Sequence, residues 1–265
     1  MEILAPSRWK NIEFLSDIHL DESDRPTFEA WRHYLQHTDA DAVFILGDLF
    51  ELWVGDDVLQ QPTPFLADCV AVLRQTGVRL DLHIMCGNRD FLMGPALMHA
   101  CQARALADPT VLTFSGQRIV LTHGDALCLG DTAYQAFRQV VRSATWQADF
   151  LAKPLPERQA IANGIRQQSA ARQALESRYA DVDTAAAEAL LSSRDASLLL
   201  HGHTHQPGQH ALAHGQSRLV LSDWSLGETP ARADVIRLGA PELGIASVTR
   251  LQSATRSHPA ARNRG

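Results

Sequence analysis

The run Ile12-Glu13-Phe14-Leu15-Ser16-Asp17-Ile18-His19 is a short, β-rich apolar stretch that ends in an aspartate and a histidine two residues apart. Four more runs are built on the same plan. Ala42–Leu46 leads into Gly47-Asp48 and Val78–Cys86 into Gly87-Asn88-Arg89-Asp90. Arg118–Thr122 leads into His123-Gly124-Asp125, and Ser197–His201 into Gly202-His203-Thr204-His205. Each apolar run reads as a strand, and each delivers an oxygen or imidazole ligand just past its carboxyl end. In open α/β sheets that edge is where ligands bind.

Working outward, Arg25–His37 and Thr63–Thr76 carry apolar residues at helical spacing, so strand and helix alternate through the first half. That alternation predicts an α/β fold with a largely parallel sheet. Further strands at Val111–Phe114, Arg218–Ser222 and Ala233–Leu238 come with short turns, which implies antiparallel additions or a second sheet. The metal-ligand pattern spans a domain of residues 11–250. Residues 131–180 differ, with no convincing strand and a composition of Ala, Gln, Arg and Glu. They read as two or more helices broken at Lys153-Pro154-Leu155-Pro156. Seven basic residues there (Arg138, Arg142, Lys153, Arg158, Arg166, Arg172, Arg178) face four acidic ones (Asp131, Asp149, Glu157, Glu176). That segment is either a solvated helical face or a cap that meets an anionic ligand. Residues 251–265 are polar and Arg-containing and read as a disordered tail.

Composition narrows the function. The 265 residues are 45% hydrophobic and 20% charged, ordinary for a globular chain with a sizeable core. A net charge of −6 argues against a broad basic footprint for nucleic acid. Four cysteines without C-x-x-C pairing suggest reduced thiols in a cytosolic compartment rather than a disulfide framework. The first residues show no signal-peptide core, and the apolar runs are too short to span a bilayer.

The strand-end residues form a chemically coherent set. Asp81-Leu82-His83 is also a D-x-H, yet it lies inside a strand and reads as structural. The ordered combination of all five motifs is far more specific. Carboxylate, imidazole and amide oxygen without thiolate suit Mn²⁺, Fe²⁺ or Zn²⁺. Seven ligands (Asp17, His19, Asp48, Asn88, His123, His203, His205) exceed what one ion takes, so two ions sharing a carboxylate is the economical arrangement. Such a pair clamps a phosphoryl group and lowers the pKa of bound water toward ~7.

These motifs resemble the calcineurin-type metallophosphoesterase superfamily, whose pattern is D-x-H, G-D-x-x-[DE], G-N-H-[DE], H and G-H-x-H. The chain is closer still to the lipid A branch, the UDP-2,3-diacylglucosamine diphosphatase family. That likeness is carried by Leu15–Leu20, Ile45–Asp57, Gly87–Leu92, His123–Cys128 with Tyr134–Arg138, and His201–Pro207. The resemblance implies a four-layer α/β/β/α sandwich with a helical cap inserted at 131–180. It implies that Asp17, His19 and His205 hold one ion, Asn88, His123 and His203 the other, with Asp48 bridging and Mn²⁺ the expected metal. The implied reaction is hydrolysis of a pyrophosphate bond in a diacylated sugar nucleotide, by metal-activated water at the α-phosphorus. The implied partners are that lipid and the cytoplasmic face of the inner membrane, bound peripherally, with no nucleic acid and no obligate protein partner.

Arg89 stands where the superfamily has a histidine that can protonate an alkoxide. Arginine cannot act as an acid, but it grips phosphate bidentately. Asp48 and Arg89 are thus the expected catalytic groups. Asn88, Arg89, Asp131, Ser169, Gln173 and His203 are the substrate-binding residues that the resemblance implies. The family has Asn at position 173 and Lys at 176, so this chain departs there with Gln173 and Glu176. His201 stands two residues before His203 but precedes the motif, and reads as a strand residue. His33, His37, His83, His99, His210, His214 and His258 carry no motif, and Trp53 and Trp224 read as packing. Trp146, Phe150, Leu151, Leu155 and Ile161, beside Lys153 and Arg158, fit either a lipid-facing surface or the core of the cap. Another substrate for the same chemistry, such as a nucleotide phosphodiester or a phosphoprotein, or a non-catalytic scaffold, are the rival readings.

Overall fold

In the computed structural model the strands, in chain order, are β1 (Glu2–Leu4), β2 (Asn11–Leu15), β3 (Ala42–Leu46), β4 (Asp81–Met85), β5 (Arg104–Leu106), β6 (Thr110–Phe114), β7 (Gln117–Leu121), β8 (Leu198–His201), β9 (Gly208–Ala211), β10 (Ser217–Val220), β11 (Asp234–Gly239) and β12 (Ser247–Gln252). The helices are α1 (Arg25–His37), α2 (Pro64–Arg79), α3 (Pro95–Cys101), α4 (Thr132–Val141), α5 (Ala144–Leu151), α6 (Leu155–Leu175) and α7 (Thr184–Ser193). The structure describes residues 1–175, 181–240 and 247–252, and the side chains of these except 168–175, 247, 248 and 250–252.

The strands form two six-stranded sheets, ordered β12-β11-β2-β3-β4-β5 and β1-β6-β7-β8-β10-β9. In the first, β2 through β5 run parallel, with β11 and β12 added antiparallel. The second mixes parallel pairs (β7 with β8, β8 with β10) and antiparallel ones. Alternate side chains of one strand face opposite layers. Phe14, Phe44 and Leu46 meet Leu112, Phe114, Leu121 and Leu200 between the sheets. Their neighbours Leu15, Val43 and Ile45 pack outward on α1, α2 and α3, through Trp31, Leu35, Cys69, Leu73 and Leu97. On the far side Val111, Val120 and Leu199 cover Ala187 and Leu191 of α7. The result is an α/β/β/α sandwich, as the motif resemblance implies.

Three details differ from the sequence reading. Val78 and Arg79 belong to α2, and β4 begins only at Asp81. Val78 is 72% exposed, so it extends the outer face of the helix rather than opening a strand. β1, β5, β9 and β12 carried no clear signal, and all four are sheet edges. The sheets also run past the expected boundaries: β1 precedes residue 11, and Leu251 and Gln252, assigned to the tail, end β12. The rest of that tail, including His258, lies outside the described residues.

Within 131–180, α4, α5 and α6 occupy the described positions without a strand, and the break falls between Leu151 and Leu155. These helices rest on the body. Phe150 is buried in the helix-side core, and Trp146, Leu155, Ile161 and Ala162 pack against it. The four cysteines are unpaired, with Cys69, Cys101 and Cys128 buried.

Candidate metal centre

The five strand ends converge because their loops fold back tightly. Asp17, His19, Asp48, His203 and His205 all have positive φ, between 51° and 66°. A non-glycine residue held there costs roughly 1–2 kcal/mol, and surrounding hydrogen bonds hold each in place. The Asp17 amide donates to Gly47 O at 3.1 Å, the His19 amide to Asp48 O at 3.0 Å, and the His203 amide to Asp17 Oδ2 at 2.9 Å. Gly87 and Gly202 permit the close approach of these loops. A Cβ at Gly87 would stand 2.1 Å from Asp48 Oδ1, and one at Gly202 2.2 Å from Asp17 Oδ2. Asp90, fully buried, ties two loops together by accepting the amides of Gly87 at 2.7 Å and Leu49 at 2.8 Å.

Two clusters result. Asp17, His19 and His205 offer donor atoms within 4.8 Å of one another, and so do Asp48, His123 and His203. In the first, His205 Nε2 is 3.4 Å from His19 Nε2 and 3.4 Å from Asp17 Oδ1. In the second, His123 Nε2 is 2.9 Å from Asn88 Oδ1 and 3.6 Å from Asp48 Oδ2. The same Asp48 oxygen is 3.9 Å from His19 Nε2, so it faces both clusters. Its other oxygen accepts the Arg89 amide at 2.8 Å. His201 is buried, with Nδ1 2.9 Å from Gly202 O, and belongs to neither cluster.

The imidazoles are oriented as ligands are. His123 Nδ1 meets Leu46 O at 2.9 Å and His19 Nδ1 meets Glu51 Oε2 at 2.7 Å, which leaves Nε2 of each facing its cluster. Electrostatics ask for positive charge. Burial opposes protonation of His19, yet Glu51, Asp48 and Asp17 together raise its pKa to about 9. Burial likewise opposes His123, where Asp48, Asp17 and Asp125 prevail and raise it to about 9. Burial and the adjacent His123 lower His203 to about 4. Asp17 is held well below the usual carboxylate range by His205, His123 and His19 in spite of its burial. Asp17 Oδ1 is buried without a hydrogen-bond partner. A thiolate-free donor set, an orphaned carboxylate oxygen and a field that favours cations fit two divalent ions.

Beside the clusters lies a cavity of about 360 Å³. Its wall is mostly apolar, with Trp53, Val54, Phe91, Trp146, Phe150 and Ile165, and it ends on Asn88 and Arg89. Trp53, expected only to pack, therefore also lines this space, whereas Trp224 is buried core. Asp131 caps α4 by accepting the Tyr134 amide at 2.8 Å, and is not among the cavity-lining residues. Ser169 and Gln173 lie on α6 with their side chains outside the described residues, as does Glu176 altogether.

Two residues inside the quoted motifs, Glu51 and Asp125, have roles at the site that the sequence alone did not assign them. Glu51 bridges His19 to Arg166 of α6 (2.6 Å), and sits 3.8 Å from Arg89. Its place three after Asp48, the last position of G-D-x-x-[DE], was the available signal. Asp125 accepts the Tyr134 hydroxyl at 2.5 Å and Arg138 Nε at 2.8 Å, fastening α4 beside His123.

Residues 11–207 match the model of the calcineurin-like phosphoesterase family. Among curated relatives, the UDP-2,3-diacylglucosamine hydrolase of Bordetella pertussis is 43% identical over 215 residues, covering 79% of this chain and 83% of its own. That of Chromobacterium violaceum is 44% identical, covering 82% and 91%. That of Xanthomonas axonopodis pv. citri is 41% identical over 245 residues, covering 88% and 98%.

Proposed function

The chain belongs to the calcineurin-like phosphoesterases and, within them, to the UDP-2,3-diacylglucosamine hydrolases, and we propose that it splits the pyrophosphate of UDP-2,3-diacylglucosamine in lipid A biosynthesis. The products of that reaction are 2,3-diacylglucosamine 1-phosphate and UMP. One observation carries the proposal. Asn88 and Arg89 form the common wall between the ligand clusters and the apolar cavity, so a phosphate held at that wall has cations on one side and room for hydrocarbon on the other.

Asp17, His19 and His205 would hold one divalent ion, and Asn88, His123 and His203 the other, with Asp48 placed to serve both; Mn²⁺ would suit the donors. The ions, when bound, supply a water of lowered pKa and positive charge for the phosphoryl oxygens. Arg89 grips the same oxygens and stabilises charge that grows during transfer. Attack at the α-phosphorus expels the sugar 1-phosphate, already a stable anion, so no side chain has to donate a proton and an arginine serves where an acid is dispensable. The Asp48 carboxylate, fixed by the Arg89 amide, couples placement of the ions to placement of the arginine. Asp131, Ser169 and Gln173 on the cap helices, and His203, complete the proposed substrate contacts.

The lipid has to come from a bilayer. Leu129, just before α4, Phe137 and Val140 of α4, and Leu151 of α5 expose large apolar surface, and Phe137 also lines the cavity. We read this surface as resting on the cytoplasmic face of the inner membrane, with the cavity mouth toward the lipid. No helix among the described residues is long and apolar enough to cross a membrane, so the attachment proposed is peripheral.

The test is metal content measured together with turnover on the lipid nucleotide, an alkyl phosphodiester and a phosphopeptide. Two ions per chain with preference for the lipid nucleotide is the expected result. Preference for either other substrate would reassign the reaction, and full metal with no turnover would make the chain a scaffold.

A further inference from the structure

Arg158, the fourth residue of α6, is buried to 1% exposure, yet it touches neither the ligand clusters nor the cavity. Its guanidinium has three partners. Nε donates to Lys153 O at 3.0 Å, one terminal nitrogen donates to Val54 O, and the other pairs with the Asp57 carboxylate. The loop it grips is also fixed from behind. Asp56 accepts Trp53 Nε1 at 3.0 Å and the amides of Gly94, Ala96 and Leu97 at 2.8–3.0 Å, which anchors residues 53–57 to α3. Contact between loop and cap is tight. A Cβ on Gly55, whose φ is +127°, would stand 2.4 Å from Arg158 Nη1 and 2.7 Å from Leu151 Cδ2.

This junction joins two walls of the apolar cavity. Trp53 and Val54 come from the loop, Phe150 from α5, and Ala162 and Ile165 from α6, one and two turns beyond Arg158. Asp57 and Arg158 thus clamp the loop to α6 and fix the separation of the surfaces between which hydrocarbon would lie. A fork that satisfies three acceptors has no substitute in a point-charge ammonium.

We propose that Arg158 and Asp57 are a positioning pair that sets the acyl-chain length the cavity accepts; this rests on the cavity taking an acyl chain of the substrate. The pair acts through the wall and not on the reacting phosphate, so its loss should weaken binding of long chains and leave the chemical step alone.

The experiment compares Arg158→Lys and Asp57→Asn with wild type on UDP-diacylglucosamines of long and short acyl chains, at matched metal content. The Asp57 side chain is 44% exposed, so the second variant keeps the test decisive should the first fail to fold. Expected is a rise of roughly tenfold in KM for the long-chain substrate, on the scale of one methylene's packing lost from a hydrophobic pocket. kcat should stay within about twofold, and the short-chain KM should barely move. A loss of equal factor at every chain length, or unchanged kinetics in Asp57→Asn, overturns the proposal while leaving the proposed reaction intact. A wild type that holds two ions but turns over no lipid nucleotide overturns the reaction itself, and the role of the pair with it.

Discussion

Asp48 Oδ2 lies within 4 Å of an imidazole nitrogen in each cluster, 3.6 Å from His123 and 3.9 Å from His19. Asp48→Asn keeps the shape but weakens the shared oxygen as a ligand, so bound metal should fall toward one ion or fewer and turnover should vanish; metal analysis beside an activity assay checks both. His201→Ala should leave metal content near normal, since His201 belongs to neither cluster, whereas His203→Ala and His205→Ala should each lower it. Arg89 offers a different signature. Its guanidinium has no lone pair for a cation, so Arg89→Ala should retain both ions and lose roughly 2–4 kcal/mol of transition-state stabilisation. Arg89→Lys should recover only part of that loss. Arg89→His restores a group able to protonate an alkoxide, and relative activity should shift toward alkyl phosphodiesters. Wild-type turnover by Arg89→Ala on the lipid nucleotide would remove the phosphate-gripping role.

At the scale of single elements, β4 carries a test of how the core handles a titratable group. His83 is buried, stacked on Phe44 at 4.5 Å and edge-on to Trp9, with neither ring nitrogen hydrogen-bonded. Burial, aided by Arg104, lowers its pKa to about 4 from an ordinary 6.5. Between those values the unfolded chain binds a proton that the folded chain refuses. Stability therefore falls as pH drops from about 6.5 to about 4 and levels off below, a loss of about 3 kcal/mol from this group. His83→Phe keeps the stacking and removes the titration. Denaturant midpoints at pH 8 and pH 5 should converge in the variant relative to wild type, and an unchanged gap would show that His83 is not the source. The edge strands explain what sequence patterning misses at this scale. β2, β3 and β8 are covered on both faces and read as apolar runs. β1 and β9 have one ladder neighbour each and mostly exposed or half-buried side chains, so nothing in their composition separates them from loop.

For the whole molecule, helices α4, α5 and α6 are part of the fold and not a detachable lid. Phe150 and Arg158 are buried against the body, and Asp125 beside His123 anchors Tyr134 and Arg138 of α4. Removing residues 131–180 would uncover this core, so the proposed membrane contact is better probed at single exposed side chains. Leu129 and Val140 are exposed and do not line the cavity. Leu129→Ser with Val140→Ser should leave stability within roughly 0.5 kcal/mol. The pair should weaken sedimentation with anionic vesicles roughly fivefold per side chain, from about 1 kcal/mol of partial apolar burial each. Vesicle binding equal to wild type would move the membrane contact elsewhere.

The order of motifs along the chain made the α/β alternation and the seven candidate ligands legible, and the resemblance of those motifs to a known superfamily implied the sandwich and marked Arg89 as standing in the place of an acid. Each of these depends on a residue type at a fixed distance from a strand end, which is local information. Whether Trp146 and Phe150 form a private cap core or the wall of a cavity, and that Glu51 joins His19 to Arg166, was decided only in three dimensions. So was the grip of Arg158 on residues 54 and 57. Those contacts join positions about a hundred residues apart, and an apolar or charged side chain carries no mark of which distant surface will cover it until both surfaces are packed together.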